Sequence, residues 1–108
     1  MGNVYLRDID WLSRHAALGV FIGERDCRGK GYGSQALRLM LRHAFQDLGL
    51  RRVYLFALAD NEGALATYRK VGFTLEGTMR QHIFKAGRFR DIVVLGIHAD
   101  EWERVAGA

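Results

Sequence analysis

The sequence predicts a mixed α+β domain of the α/β class, with the element order β-β-α-β-α-β-β. Three features predict it: apolar segments with strand-like patterning, two segments with helical apolar spacing, and a C-terminal pair of strand segments around a short turn. With 108 residues, 49% hydrophobic and 26% charged, the chain fits one globular domain spanning residues 1–108. A disordered or fibrous chain does not fit this composition.

The N-terminal third predicts two antiparallel strands. Asn3 to Ile9 alternates loosely between apolar and polar residues, and Leu18 to Gly23 is a more apolar segment. Between them, Ser13, Arg14 and His15 predict a polar turn. We therefore expect the chain to open with a β-hairpin.

A helix followed by a buried strand is predicted next. From about Ser34 to Leu48 the apolar residues fall at helical spacing, and Gly49 stands where a glycine ends a helix. Arg52 to Leu58 is nearly continuously apolar, which is typical of a strand covered on both faces. We expect this strand to be central in the sheet.

The C-terminal half predicts a second helix and a hairpin. Asp60 and Asn61 are cap candidates, and an apolar stripe follows until Gly72. Phe73 to Phe84 and Phe89 to Ile97 then predict two strands that turn at Ala86-Gly87. The prediction thus contains two helices and a C-terminal hairpin.

Composition restricts the compartment and the partners. Cys27 is the single cysteine, so no internal disulfide is possible, and this indicates a reducing cytoplasm. The longest apolar run, Ala16 to Ile22, is too short to span a membrane, and Met1 begins no signal peptide. The net charge of +4 favours anionic partners, but the scattered arginines do not indicate nucleic acid.

Arg28 to Gly33 is the segment most suggestive of chemistry. Its sequence Arg-Gly-Lys-Gly-Tyr-Gly lies between a predicted strand and a predicted helix, where glycines let backbone N–H groups surround a diphosphate. The glycine spacing does not fit a dinucleotide fingerprint, and Gly33-Ser34 lacks the lysine of a Walker loop. A glycine-rich connection with two solvated cations is the alternative interpretation.

Two motifs in order resemble the GNAT superfamily of acyl-CoA-dependent N-acetyltransferases. The first is Arg-x-x-Gly-x-Gly at Arg28 to Gly33. The second is Asn-x-x-Ala-x-x-x-Tyr-x-x-x-Gly-Phe from Asn61 to Phe73. The sequence of nearly the whole chain is similar to that of the branch that contains ribosomal-protein and spermidine acetyltransferases.

The resemblance implies acetyl-CoA as cosubstrate, a primary amine as acceptor, direct transfer in a ternary complex, and no metal. It implies that backbone groups of Phe21 and Ile22, together with Asn61, hold the pantetheine arm. Tyr68 corresponds to the tyrosine that protonates the departing thiolate, although its place on the apolar stripe also fits core packing. The residues implied to hold the pyrophosphate are Arg28, Gly29, Lys30, Gly31, Tyr32 and Gly33.

The general base is not identified by the sequence. Glu24, Asp26, Asp60 and His82 are candidates, but each fits a solvated or structural polar group better, and water can also carry the proton. The other histidines, His15, His43 and His98, show no metal-ligand spacing.

Compared with the family, the chain lacks a first strand, one or two helices and a second strand at its N-terminus. The resemblance is thus to a truncated fold that retains the cofactor half. The strand at Asn3 to Ile9 is expected to be a bare sheet edge, and apolar surface to be exposed, which predicts a homodimer or higher assembly. A non-catalytic acyl-CoA-binding remnant is the alternative function, and a nucleic-acid-binding module is a third.

Overall fold

The computed structural model describes residues 3–21 and 32–106. The expected mixed α+β architecture is confirmed, with one additional helix. The elements in chain order are β1 (Asn3–Asp10), β2 (His15–Phe21), α1 (Tyr32–Arg42), β3 (Arg52–Leu58), α2 (Glu62–Val71), β4 (Thr74–Lys85), β5 (Arg88–His98) and α3 (Ala99–Ala106). A π-helical turn, His43–Asp47, continues α1.

The strands form one mixed five-stranded sheet in the order β1-β2-β3-β5-β4. The pairs β1–β2, β3–β5 and β4–β5 are antiparallel, and β2–β3 is parallel because α1 lies in the connection between them. β3 is the middle strand, as its apolar run predicts. β1 and β4 are the two edge strands of the described sheet.

The turn between β1 and β2 begins earlier than the sequence predicts. Asp10 Oδ1 accepts hydrogen bonds from the backbone N–H groups of Leu12 at 3.0 Å and Ser13 at 2.9 Å. This carboxylate closes the turn over residues 11–14, so β2 begins at His15 and not at Leu18. The predicted end of this strand at Gly23 lies outside the described residues.

The helix ends agree with the sequence signals. Gly49 has φ +69° after the π-helical turn, a conformation that favours glycine. Asn61 caps α2, and Gly72 ends that helix with φ +125°. The structure therefore confirms both predicted helices, with α1 beginning at Tyr32, two residues before the predicted start.

The prediction of only two helices is wrong. α3 has eight residues and follows β5 directly. Its first turn is acidic, and the His98 backbone N–H donates to Glu101 Oε1 at 2.9 Å, as in half of a capping box. Trp102 is 8% exposed and packs on Phe45 with ring centroids 5.5 Å apart. This single aromatic anchor provides too little apolar periodicity for recognition from the sequence.

The core lies on one face of the sheet, under the helices. Val53 and Leu55 of β3 are buried there, whereas Phe56 is 45% exposed on the opposite face. The expectation that β3 is covered on both faces is therefore wrong, because no described element packs on the second face. The largest fully buried side chains are Leu37, Leu41, Leu50, Leu55, Leu95, Ile97, Val53 and Val71.

The second, open face carries a connected group of aromatic and charged side chains. Tyr54 lies against His15 and Phe56, each at 5.9 Å between ring centroids, and Arg52 lies 5.0 Å from the Tyr54 ring. Arg52 also pairs with Glu76 at 2.6 Å. A Cβ at Gly96 would collide with this ion pair, so the glycine makes room for it.

The C-terminal hairpin turns where the sequence predicts. Ala86 and Gly87 have φ +55° and +80°, which corresponds to a two-residue turn with both central residues left-handed. Phe84 and Phe89, each 62% exposed, form a cross-strand aromatic pair near this turn.

In the part of the chain that the structure describes, no helix has the length and apolarity needed to cross a bilayer.

Candidate active site

β2 and β3 separate at one end of the sheet. They pair only at His15–Arg52, Ala16–Val53 and Ala17–Tyr54, yet each strand continues for four more residues. The outer edges of these extensions pair with β1 and β5. The inner edges, residues 18–21 of β2 and 55–58 of β3, therefore face an opening between two parallel strands.

This opening can bind an extended ligand through the main chain. Backbone N–H and C=O groups that lack a strand partner require another hydrogen-bond partner. An extended amide-containing chain satisfies them in the same way as an added strand. Because the opening lies at the carboxyl ends of parallel strands, it also corresponds to the usual ligand position in sheets with parallel strands and crossover helices.

α2 begins at the same end of the sheet and presents Asn61. The chain leaves β3 at Leu58, and the Asn61 N–H donates to the Leu58 carbonyl at 3.1 Å. Asn61 Oδ1 accepts from the Ala64 N–H at 3.3 Å, so this oxygen caps the helix. Among the described contacts, Asn61 Nδ2 makes no hydrogen bond, and the residue is exposed.

Tyr68 lies two turns farther along α2 and is packed in the core. It is 6% exposed, and its ring meets Phe73 edge-on at 6.2 Å between centroids. It belongs to the same buried group as Leu65 and Val71. The structural role anticipated from the apolar stripe is confirmed, and the catalytic role stays a prediction.

The proposed pyrophosphate segment falls mostly outside the described residues. Arg28, Gly29, Lys30 and Gly31 lie outside them, as does Ile22, which is predicted to contact the pantetheine arm. Phe21 is the last residue of β2, and α1 begins with Tyr32 and Gly33. The described elements therefore place only Tyr32 and Gly33 of this segment, at the N-terminus of α1, and its binding role stays a prediction.

The structure describes two of the four base candidates. Glu24 and Asp26 lie outside the described residues, and His82 is exposed on β4. Asp60 follows β3, where its Oδ2 accepts from Arg88 at 3.3 Å and from Arg90 at 3.2 Å. Asp60 is therefore a partner of two arginines, and the structure assigns it no acceptor-activating geometry.

Sequence reasoning missed a cleft beside this end of the sheet. The cleft has a volume of about 280 Å³ and is lined by Ala59, Asp60, Arg88, Phe89, Arg90 and Asp91. Arg88 and Arg90 are two residues apart on β5, so the sequence indicates that they share one face of the strand. The sequence does not show that β5 brings these arginines against the end of β3. Among the described residues, no group of three potential His, Cys, Asp or Glu ligands could hold a metal.

Comparison with known proteins identifies the family. Residues 1–74 match the acetyltransferase (GNAT) domain model. The chain is 32% identical over 102 residues to the putative ribosomal N-acetyltransferase YdaF of Bacillus subtilis, covering 94% of this chain and 55% of that protein. It is 31% identical over 101 residues to the spermidine N(1)-acetyltransferase of Escherichia coli K12, covering 94% and 54% respectively.

A solved structure shows the same fold. The dodecameric spermidine N-acetyltransferase from Vibrio cholerae superposes with a TM-score of 0.86 at 27% identity, covering 94% of this chain and 59% of that one. The chain spans about half the length of the two curated relatives described above. On the family match and these similarities, the chain belongs to the GNAT acetyltransferase family.

Proposed function

We propose that this domain transfers an acetyl group from acetyl-CoA to a primary amine in a ternary complex. The observation that carries the proposal is the opening between β2 and β3, next to Asn61 of α2. An acyl-CoA presents an extended arm with two amides, which suits unpaired strand edges. The similarity to enzymes named N-acetyltransferases supports the same reaction class.

The proposed binding mode uses both ends of the β2–α1 connection. Phe21 and Ile22 present main-chain groups to the pantetheine arm, and Asn61 Nδ2 donates to it from the other side. Arg28, Gly29, Lys30 and Gly31, with Tyr32 and Gly33 at the first turn of α1, hold the pyrophosphate. Backbone N–H groups at a helix N-terminus suit this anion, and Arg28 and Lys30 add charge-assisted hydrogen bonds.

In the proposed reaction the amine nitrogen attacks the thioester carbonyl carbon. A C–N bond forms, the C–S bond breaks, and the amine loses one proton to water. The thiolate leaves with the bond electrons and takes a proton from the Tyr68 hydroxyl, which then recovers one from solvent. A backbone N–H of residues 20–23 polarises the carbonyl, and most of the rate enhancement comes from positioning.

The proposed amine acceptor is a protein N-terminus, a polyamine or another small amine. The names of the relatives, a ribosomal N-acetyltransferase and a spermidine acetyltransferase, support this range. We also propose a homo-oligomer, supported by the exposed edge strands β1 and β4 and by the dodecameric structural neighbour.

A second candidate function is acyl-CoA binding without transfer. Two observations favour it: one face of the sheet is open in the described chain, and the chain spans about half of its curated relatives. If the acceptor site needs further elements, the domain will bind acetyl-CoA but will not turn it over.

Thermal unfolding with and without acetyl-CoA tests the proposal. At about 100 times the dissociation constant, binding adds roughly 2.7 kcal/mol to the free energy of unfolding. For a domain of this size the midpoint should rise on the order of 10 °C.

Two variants and an amine panel complete this experiment. Gly31→Glu should abolish the shift, because it places a charged side chain where the pyrophosphate is proposed to bind. Gly77→Glu is the matched control, because a Cβ at Gly77 on β4 has no neighbour within 4 Å. Acetyl transfer to any amine supports the enzyme, and binding without transfer supports the second candidate. An absent shift at millimolar acetyl-CoA contradicts both.

A further inference from the structure

The cleft between the end of β3 and the start of β5 adjoins the proposed acyl site. Ala59 and Asp60 follow β3 directly, and Asn61 caps α2 at the next position. The Ala59 N–H donates to the Asp91 carbonyl at 3.0 Å, which joins the two walls of the cleft. A volume of about 280 Å³ is enough for a small polar group and too small for a whole cosubstrate.

The cleft lining holds two carboxylates and two guanidinium groups, and both guanidinium groups contact the same carboxylate. One oxygen of Asp60 accepts from Arg88 at 3.3 Å and from Arg90 at 3.2 Å, so one carboxylate lies between two guanidinium groups. The other acid, Asp91, accepts from the Gln81 backbone N–H at 2.8 Å in the bulge of β4. The four charged residues of the lining thus sum to zero, but among the described contacts only Asp60 pairs with the two arginines.

The arginines retain unused hydrogen-bond donors. The Arg90 side chain is 20% exposed, and its Nε is buried without a partner in the described part of the chain. The Arg88 side chain is 68% exposed, and its one described partner is Asp60. Guanidinium groups present several N–H donors in a planar fork that fits carboxylate and phosphate oxygens.

We propose that this cleft binds an oxyanion, a carboxylate or a phosphate, carried by the amine acceptor. The inference rests on the proposed function, since it assigns the cleft to the acceptor of that reaction. It narrows the acceptor to amines with a nearby negative group, such as the N-terminus of an acidic peptide. A polyamine carries only ammonium groups, which have no oxygen to accept hydrogen bonds from these guanidinium donors.

Direct binding of short peptide amides tests the proposal without requiring turnover. The probes share one sequence and differ at the second residue, which is Glu, phosphoserine or Gln, and spermidine is the fourth probe. Binding is followed by calorimetry and by chemical shifts of the Ala59 and Asp91 amides. At least one anionic peptide should bind about fivefold tighter than the Gln peptide, as expected for a charge-assisted bond to partly exposed arginines. The Glu and phosphoserine arms show which oxyanion the cleft takes.

Two variants test whether the preference for anionic peptides depends on an arginine of the cleft. Arg88→Gln should remove the preference for the anionic peptides, and its exposed position keeps the fold intact. Arg104→Gln, an equal charge change on α3 beyond the far end of β5, should preserve the preference. The proposal is overturned by equal binding of the three peptides, by tighter spermidine binding, by no binding at millimolar concentration, or by a preference that survives Arg88→Gln. The acetyl-CoA melting shift is measured on the same samples, so loss of the proposed function is seen separately.

Discussion

Asn61 and Tyr68 each combine a structural contact with a proposed functional one. The oxygen of the Asn61 amide caps α2, and the amide nitrogen is the group proposed to bind the pantetheine arm. Tyr68 is almost completely buried beside Phe73, so its ring has a packing role whatever its hydroxyl does. Substitutions that keep the ring and remove only the hydroxyl therefore separate the two roles.

Tyr68→Phe tests the proposed acid. The ring and its packing remain, so we expect the variant to fold and to keep an acetyl-CoA-induced shift close to that of the wild type. Because a positioned general acid contributes about 10²- to 10⁴-fold, kcat should fall at least about 100-fold. Steady-state kinetics with the best acceptor measure this, and an unchanged kcat would assign Tyr68 to packing alone.

Asp10 predicts a pH effect at the β1–β2 turn. The backbone N–H of Ser13 is the main cause that lowers the pKa of the Asp10 carboxyl below its ordinary value; burial opposes this, and Leu12 and His15 add to the lowering. Since the pKa of Asp10 is lower in the folded state than in the unfolded state, the ionised carboxylate stabilises the folded protein. This stabilisation is fully present above the pKa that Asp10 has in the unfolded chain. It is lost as the pH falls through the folded-state pKa, in a window below about 4.

Asp10→Asn measures this contribution. The variant should melt below the wild type at pH 7, because the amide oxygen accepts more weakly than the carboxylate. The difference in melting temperature should shrink as the pH falls below about 4. Melting curves of both proteins across the pH range give this difference, and a gap independent of pH would contradict the assignment.

Among the elements, the β4–β5 hairpin has an identifiable strain at its turn. Ala86 has φ +55°, although L residues with a Cβ disfavour this conformation, whereas Asn tolerates it. Ala86→Asn should therefore add about 0.5–1 kcal/mol to the free energy of unfolding and raise the melting temperature by about 2–4 °C. Calorimetry measures the change.

Gly87→Ala is the matched control for the turn. A Cβ at Gly87 meets no atom within 4 Å, and its φ is +80°. Any destabilisation thus comes from the backbone conformation alone, and we expect this variant to melt below the wild type. If both variants have the melting temperature of the wild type, the two-residue left-handed turn is not formed in solution.

The open face of the sheet determines how the whole molecule behaves. Tyr5 and Phe56 on that face are 50% and 45% exposed, and Tyr5 covers Gly19 of the neighbouring strand. Exposed apolar surface of this kind is usually covered by another chain or element. We therefore expect a mass above the monomer value of 12.3 kDa in light scattering at micromolar concentration.

A double substitution to lysine tests whether the open face of the sheet forms the contact between copies of the chain. Tyr5→Lys combined with Phe56→Lys should shift the mass toward the monomer, because it places two cations in the buried contact. Leu39→Lys on α1, where the side chain is 63% exposed away from this face, is the control and should keep the assembly. A monodisperse wild-type monomer would contradict the predicted association.

Local patterns in the sequence determined most of the fold. Apolar periodicity located both longer helices, Asn61 and Gly72 marked the ends of α2, and Ala86-Gly87 marked the hairpin turn. These signals are readable because each depends on residues close together along the chain. The same holds for the family, since its two motifs lie within short segments.

Tertiary structure decided what depends on distant residues. The sequence shows β3 as apolar, but only the packing shows that Phe56 faces no helix. α3 depends on Trp102 meeting Phe45, more than 50 residues earlier in the chain, and the cleft depends on strand pairing that brings Arg88 and Arg90 to Asp60. Burial and charge pairing arise from contacts between elements, so no local pattern specifies them.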